Sequence, residues 1–226
     1  MLFSILIPTL LDRRELFARL QKTLTAQIQA ANLESQVEIL ELCDNHEMAL
    51  GAKRNQLIAR ATGEFIAFVD DDDAVADNYV SLIGQTLQAH PDADCLGING
   101  LVYFRGQHPH RFVYSLRYDH YFSRDGVYYR PPYMLNPIRR TLSAQFSYAN
   151  VSINEDADWA MRVARAKILK REYMLEPILY HYYSRRHRQV QAMIDWTEPL
   201  RHPLGLQYAN RLRVRRWVNT KLGRQT

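Results

Sequence analysis

Residues Phe65-Ile66-Ala67-Phe68-Val69 run directly into four consecutive aspartates, Asp70 to Asp73. The apolar stretch has the composition of a buried strand. Four acids cannot share that burial, because unpaired charges are costly to desolvate and neighbouring carboxylates repel one another. They are therefore expected at the C-terminal end of the strand, facing solvent or matched by a cation. In an open α/β sheet that end is where ligands bind. A solvated acidic turn is the plain alternative, and the chain around the run argues against it.

The preceding residues alternate between strand and helix signals. Leu2 to Ile7 predicts a strand stopped by Pro8, with Thr9 in the following loop. Asp12 predicts a helix N-cap with Glu15 completing a capping box, and Leu16, Phe17, Leu20, Leu24 and Ile28 recur at helical spacing. Val37 to Leu42 predicts a second strand ending near Cys43-Asp44-Asn45, and Glu47 to Ala61 a second helix. A helix capped by Asp77 and a strand from Cys95 complete the pattern of a parallel sheet covered on both faces.

Beyond Leu101 the pattern changes. Short strands are predicted at Val102-Tyr103-Phe104, Arg111 to Tyr114 and Val127-Tyr128-Tyr129, with a turn at Asp125-Gly126. Glu172 to Leu175 and Ile178 to Tyr182 predict a closing pair of strands. With no flexible linker in view, the chain reads as one α/β unit in which a mixed lobe joins the first sheet.

Composition narrows the function classes. In 226 residues, 47% are apolar and 23% charged, as in a folded soluble protein. Two cysteines, Cys43 and Cys95, cannot form a zinc site alone and suit a reducing compartment. No secretory signal is recognised and no segment has the roughly 18 apolar residues of a membrane-spanning helix. A cytoplasmic protein is therefore expected. The net charge of +5 is concentrated in the tail, where residues 185–226 hold ten Lys/Arg against two Asp/Glu. Such a tail suits an anionic partner.

Clustered aspartates at a strand end suit Mg²⁺ or Mn²⁺ held partly by carboxylates and partly by substrate phosphates. Lys53 and Arg54 lie near the start of the second predicted helix, where the dipole does not favour cations. They are placed to meet a bound anion or the acidic run. Further on, Asn154-Glu155-Asp156-Ala157-Asp158-Trp159 opens another helix. Asp156 is suited to taking a proton from an attacking hydroxyl, Glu155 or Asp158 to orienting the acceptor, and Trp159 to stacking on a sugar or packing the helix. Asp156 and Asp158 are also plain helix-capping candidates.

Three further stretches are read together: Ser4-Ile5-Leu6-Ile7-Pro8-Thr9, Gly51-Ala52-Lys53-Arg54-Asn55, and Thr62 to Asp73. With the acidic stretch at 154–159, their order and spacing resemble the GT-A glycosyltransferases of family 2 over roughly residues 2–185. The resemblance implies a GT-A fold, a Rossmann-like nucleotide-binding sheet with a mixed acceptor-side lobe. It implies a donor-binding half at 1–100, an acceptor-side half at 101–185 and a basic helical extension at 186–226.

It also implies metal-dependent, inverting transfer from a nucleotide-sugar to a hydroxyl of a saccharide or lipid-linked acceptor, as in polysaccharide biosynthesis. Pro8, Thr9, Asp44, Arg54, Asp70 and Asp71 then match nucleotide-contacting positions. Asp72 and Asp70 match the metal-side aspartates, with Asp71 still open as a ligand, and His181 matches a third ligand used by some relatives. Asp156 matches the general base, with Glu155, Asp158 and Trp159 on the acceptor side.

Two departures stand out: Leu10-Leu11-Asp12-Arg13 follows the first motif, where the family commonly has an aromatic residue and an asparagine before the arginine, and Cys43-Asp44-Asn45 follows the second strand, where paired acids, glycine and serine are more usual. Residues 186–226 are expected to touch an anionic membrane at its inner face, and no specific nucleic-acid partner is expected. The alternatives are a nucleotidyltransferase and a non-catalytic interaction protein on the same scaffold.

Overall fold

The computed structural model describes residues 1–104 and 109–184. Strand β1 (Phe3–Leu10) leads through a 3-10 turn (Leu11–Arg13) to α1 (Arg14–Ala30), then β2 (Val37–Asp44), α2 (Leu50–Arg60) and β3 (Phe65–Phe68). Next come β4 (Ala74–Val75), α3 (Tyr79–Ala89), β5 (Cys95–Phe104), β6 (His110–Tyr114), β7 (Phe122–Arg124) and β8 (Val127–Arg130). Strand β9 (Ile138–Arg139), α4 (Arg140–Ser143), α5 (Glu155–Ala166) and β10 (Glu172–Ser184) complete the described elements. The basic stretch 186–226, with the membrane contact expected of it, lies outside the described residues.

One mixed sheet runs β2-β1-β3-β9-β5-β6-β8-β7, with β10 beside both β5 and β4. The first three strands are parallel. Phe65, Ile66, Ala67, Phe68 and Val69 are each 2% exposed or less. A central parallel strand covered on both faces reads as such an unbroken apolar run. Helix α1 buries Phe17, Leu20, Leu24 and Ile28 as a single stripe. Its Gln27 side chain donates to the Ala76 carbonyl (2.9 Å) and accepts from the Val80 N–H (3.0 Å), tying α1 to the start of α3.

Five details depart from the sequence-based expectations, the first being that Asp77 does not cap α3, which starts behind Asn78 with no side-chain cap. Pro8 and Thr9 belong to β1. Pairing of β1 with β3 stops at Leu6, so β1 has an open side where a missing proline N–H is tolerated. Asp12 does not cap α1. The chain passes first through the 3-10 turn, and α1 starts at Arg14 with no side-chain cap.

The sheet is not wholly parallel, because β9 inserts between β3 and β5, antiparallel to both, burying Ile138 opposite Ile66 and Cys95. The expected closing pair of strands is one strand. β10 pairs parallel to β5 through register shifts between Met174 and Ile178 and between Ile178 and Tyr180. Pro177, which has no N–H to give a ladder, falls inside the first irregularity.

The turn at Asp125-Gly126 is a tight one. Both residues have positive φ (53° and 75°) and join β7 to β8, as a primed hairpin turn requires.

Candidate active site

The four aspartates do not behave alike. Asp71 and Asp73 are buried, at 1% and 3% exposure, so the expectation that the whole run faces solvent or a cation is only half met. Asp73 accepts from the Tyr180 hydroxyl (2.8 Å) and the Tyr183 N–H (2.9 Å). Burial and the nearby Asp70 push its carboxyl well above the usual range. It anchors β10 beneath the loop. Asp71 accepts from the Thr9 hydroxyl at 2.6 Å. Asp70 and Asp72 keep 26% and 23% of their side chains exposed, so these two present carboxylate oxygens to the outside.

A cation already stands among them. Arg13 Nη2 lies 2.6 Å from Asp71 Oδ1 and 2.6 Å from Asp72 Oδ2. Reading the sequence missed this residue, although it stands in the stretch that departs from the family pattern.

Helix α2 binds the surrounding parts together through Gly51-Ala52-Lys53-Arg54-Asn55. Lys53 is 3% exposed, pairs with Asp44 and donates to the Thr9 carbonyl at 2.7 Å, clamping the ends of β1 and β2. Burial alone would raise the Asp44 carboxyl, but Lys53 and the Met48 N–H hold it below its usual range. Arg54 is 1% exposed. Its guanidinium lies over the Phe68 ring (4.8 Å), donates to Asp70 Oδ1 (3.2 Å) and stands 3.5 Å from Glu155 Oε1. Asn55 holds Tyr148 in both directions, donating to its carbonyl (2.9 Å) and accepting from its N–H (2.8 Å).

Gly51 is required where it stands. Its N–H donates to the Val151 carbonyl (3.0 Å), and a Cβ would lie 1.9 Å from the Ala149 oxygen. The segment leading into α5 is thus seated on the N-terminus of α2.

Helix α5 starts behind Asn154 in the left-handed region (φ 63°), with no side-chain cap there. Glu155 points inward, 2% exposed. Burial, and then Asp156, raise its pKa from 4.5 to about 7, while Arg54 pulls the other way. Asp156 is half-buried and accepts from the Ala157 N–H at 2.6 Å. Its charge raises the Tyr121 and Tyr133 phenols beyond what burial does, and it adds to the upward push on Asp70. Asp156 therefore lies within electrostatic reach of Asp70, Arg54 and these two tyrosines.

The description Glycosyl transferase family 2 matches residues 21–164, well over half of the chain. The chain belongs to glycosyltransferase family 2. Its fold is similar to that of S. aureus TarS. TarS 1–349 in complex with UDP superposes with a TM-score of 0.55 at 17% identity, covering 81% of this chain and 61% of that one. The same TarS fragment in complex with UDP-GlcNAc gives a TM-score of 0.56, again at 17% identity, over 82% of this chain and 59% of that one. This chain thus spans about three fifths of the length of either TarS chain. No curated protein sequence matched it.

In this family 2 glycosyltransferase Pro8, Thr9, Asp44, Arg54, Asp70, Asp71 and Asp72 gather at the C-terminal edges of β1, β2 and β3. Several of them already have protein partners: Thr9 with Asp71, Asp44 with Lys53, and Arg54 with Asp70 and Glu155.

His181 faces Ala74 across the β10–β4 pair, and its Nδ1 lies 3.0 Å from the Tyr103 hydroxyl. Among the described residues, no group of three or more His, Cys, Asp or Glu side chains is close enough to hold a metal ion. His181 is therefore not drawn into one set with Asp70 and Asp72.

Trp159 is 1% exposed, donates its indole N–H to the Phe146 carbonyl (2.7 Å) and stacks on Tyr148 (5.2 Å, 7°). Its ring serves the core and is not offered to a sugar. Asp158, half exposed, pairs along the helix with Arg162 at 2.9 Å through one of its two oxygens. Among the described residues, no helix is long and apolar enough to cross a membrane.

Proposed function

We propose that this protein transfers a sugar from a nucleoside diphosphate donor to a hydroxyl of a saccharide or lipid-linked acceptor, with inversion. The arrangement that supports this is the line from Asp70 through Arg54 to Glu155 and Asp156. It sets an accessible carboxylate opposite a strand-end acidic loop. A displacement at an anomeric carbon needs those two parts on opposite sides of the reacting bond.

Asp156 is the general base. It is the more open of the neighbouring pair, whereas Glu155, with its pKa raised to about 7, is half protonated near neutrality. Asp156 takes the acceptor proton as the acceptor oxygen bonds to the anomeric carbon and the bond to the diphosphate breaks. Arg54 fixes both Asp70 and the start of α5, so it positions both sides of the site. Asp44 and Thr9 shape the floor where the nucleotide lies, and the exposed faces of Asp70 and Asp72 look onto the diphosphate.

The donor set fits a hard divalent cation. Asp70 and Asp72 offer carboxylate oxygens from one loop, and Mg²⁺ or Mn²⁺ is commonly held by one or two carboxylates together with substrate phosphates. A third protein ligand is not needed for that arrangement. Bound there, the cation would supply neutralisation of the charge developing on the leaving diphosphate.

The test is a screen of nucleotide-sugars by mass spectrometry with Mn²⁺ or Mg²⁺, starting with UDP-GlcNAc because TarS has been crystallised with it. Release of nucleoside diphosphate, abolished by Asp72→Asn, supports the reading. Asp156→Asn is expected to block transfer to an added acceptor while donor binding persists. Release of pyrophosphate would identify a nucleotidyltransferase. Unchanged biological activity in both variants would identify a non-catalytic role.

A further inference from the structure

We propose that the nucleobase of the donor is read by Leu11, Asp12 and His46, three exposed residues beyond the ends of β1 and β2, and not by Asp44. The proposal rests on the reading of a nucleoside diphosphate donor given above. The sequence departs from the family pattern at two stretches, Leu10-Leu11-Asp12-Arg13 and Cys43-Asp44-Asn45. The fold puts them side by side, because β1 and β2 run parallel in register as far as Leu10 opposite Asp44. Two departures far apart in sequence thus meet where the chain leaves these two strands.

The Asp44 carboxylate is engaged within the fold. Its side chain is only 7% exposed, with Oδ1 against the buried Lys53 ammonium and Oδ2 accepting from the Met48 N–H at 2.7 Å. Lys53 in turn donates to the Thr9 carbonyl at 2.7 Å. Drawing Asp44 away toward a base would leave a buried ammonium without its counter-charge, which is costly.

Leu11, Asp12 and His46 are open at the same strand ends and differ in chemistry. Leu11 is 54% exposed and offers an apolar surface of the kind on which the flat face of a base packs. Asp12 follows it in the 3-10 turn, and His46 lies two residues beyond β2 in the left-handed region (φ 65°). Asp12 Oδ2 and His46 Nε2 stand 3.6 Å apart, with 65% and 63% of their side chains exposed. That separation is too long for a hydrogen bond, so neither group satisfies the other. The carboxylate accepts, and the imidazole donates with its proton on Nε2. Uracil presents the complement, a ring N–H donor beside a carbonyl acceptor. Cytosine carries a lone pair in place of that N–H, and an aspartate repels it.

Isothermal titration calorimetry of the full chain with UDP and with CDP, both with Mn²⁺, tests this without turnover. The unaltered chain is expected to bind UDP about tenfold more tightly than CDP, the size of one hydrogen bond. Asp12→Asn adds a donor where the acceptor stood, and is expected to bring the two nucleotides within about threefold of each other. His46→Gly removes the imidazole at a φ that glycine adopts freely, and is expected to weaken UDP about tenfold. Leu11→Ser is expected to weaken both nucleotides alike, because the face of a ring does not report its edge. Asp44→Asn is expected to lower the melting temperature and keep the UDP-to-CDP ratio.

An unchanged ratio in Asp12→Asn, or unchanged UDP affinity in His46→Gly, overturns the assignment. So does a collapsed ratio in Asp44→Asn with a native melting profile, or tighter binding of CDP than of UDP by the unaltered chain. Should Asp44→Asn fail to fold, the variants at the exposed Asp12 and His46 decide alone. In each of these cases a nucleotide is still bound, so the donor reading stands. Binding of neither nucleotide by the unaltered chain defeats the donor reading itself, and this inference with it.

Discussion

Replacing Glu155 with glutamine should make the protein's stability less dependent on pH. Burial is the first cause of the raised pKa and the adjacent Asp156 the second; Arg54 opposes both. The unfolded chain releases this proton near 4.5 and the folded chain near 7. Between those values the unfolded state binds fewer protons, so stability is lost as pH rises. Below about pH 4.5 the carboxyl is neutral in both states and costs nothing by this route; above about pH 7 the whole penalty is present.

The shift from 4.5 to about 7 corresponds to at most about 3 kcal/mol. A glutamine side chain at this position cannot titrate. Urea denaturation at about pH 5 and about pH 8 measures the difference between the two proteins at each value. Glu155→Gln should gain on the unaltered protein by up to about 3 kcal/mol across that range. The gain is carried by the high-pH side, where the unaltered protein holds a buried charge. Parallel stability profiles would refute the reasoning, because they would mean that Glu155 ionises alike in the folded and unfolded chain.

Gly51→Ala puts a methyl 1.9 Å from the Ala149 carbonyl oxygen, so the segment before α5 must retreat. A loss of about 1–3 kcal/mol in denaturant unfolding is expected, together with slower transfer as Asp156 is displaced. Asn55→Ala removes both bonds to the Tyr148 backbone and should cost about 1–3 kcal/mol in the same assay. Trp159→Phe loses the bond to the Phe146 carbonyl and should lower the melting temperature while leaving the acceptor KM unchanged. A raised acceptor KM at unchanged stability would return the indole to the acceptor site.

The parts of the site that were legible from sequence are those whose chemistry is local. An apolar run meeting Asp70 to Asp73 can be read without knowing what lies opposite. Lys53 and Arg54 stood out because cations at a helix N-terminus need an outside reason. The structure supplies one for each, Asp44 for Lys53 and the pair Asp70 and Glu155 for Arg54. The role of Arg13 was hidden because its partners are Asp71 and Asp72, distant in sequence and close only once β1 lies beside β3. Strand β9 is two residues long, too short for any alternation to show, and its position between β3 and β5 depends on pairing alone. Trp159 was ambiguous for a different reason: an aromatic residue at a helix start suits a sugar or a core equally, and burial decides.

Helix α2 ties the acidic loop after β3 to the start of α5. Lys53 clamps the ends of β1 and β2, Arg54 reaches the acidic loop and Glu155, Gly51 seats the segment before α5, and Asn55 fixes Tyr148. These residues occupy successive turns and faces of one helix, so a shift of α2 moves the acidic loop and the Asp156 approach together. In-line displacement is sensitive to such shifts, because a misplacement of about 1 Å costs on the order of a hundredfold in rate. A helix tied to its neighbours at Gly51, Lys53, Arg54 and Asn55 resists that movement. The same ties leave little freedom for Lys53 or Arg54 to grip a phosphate.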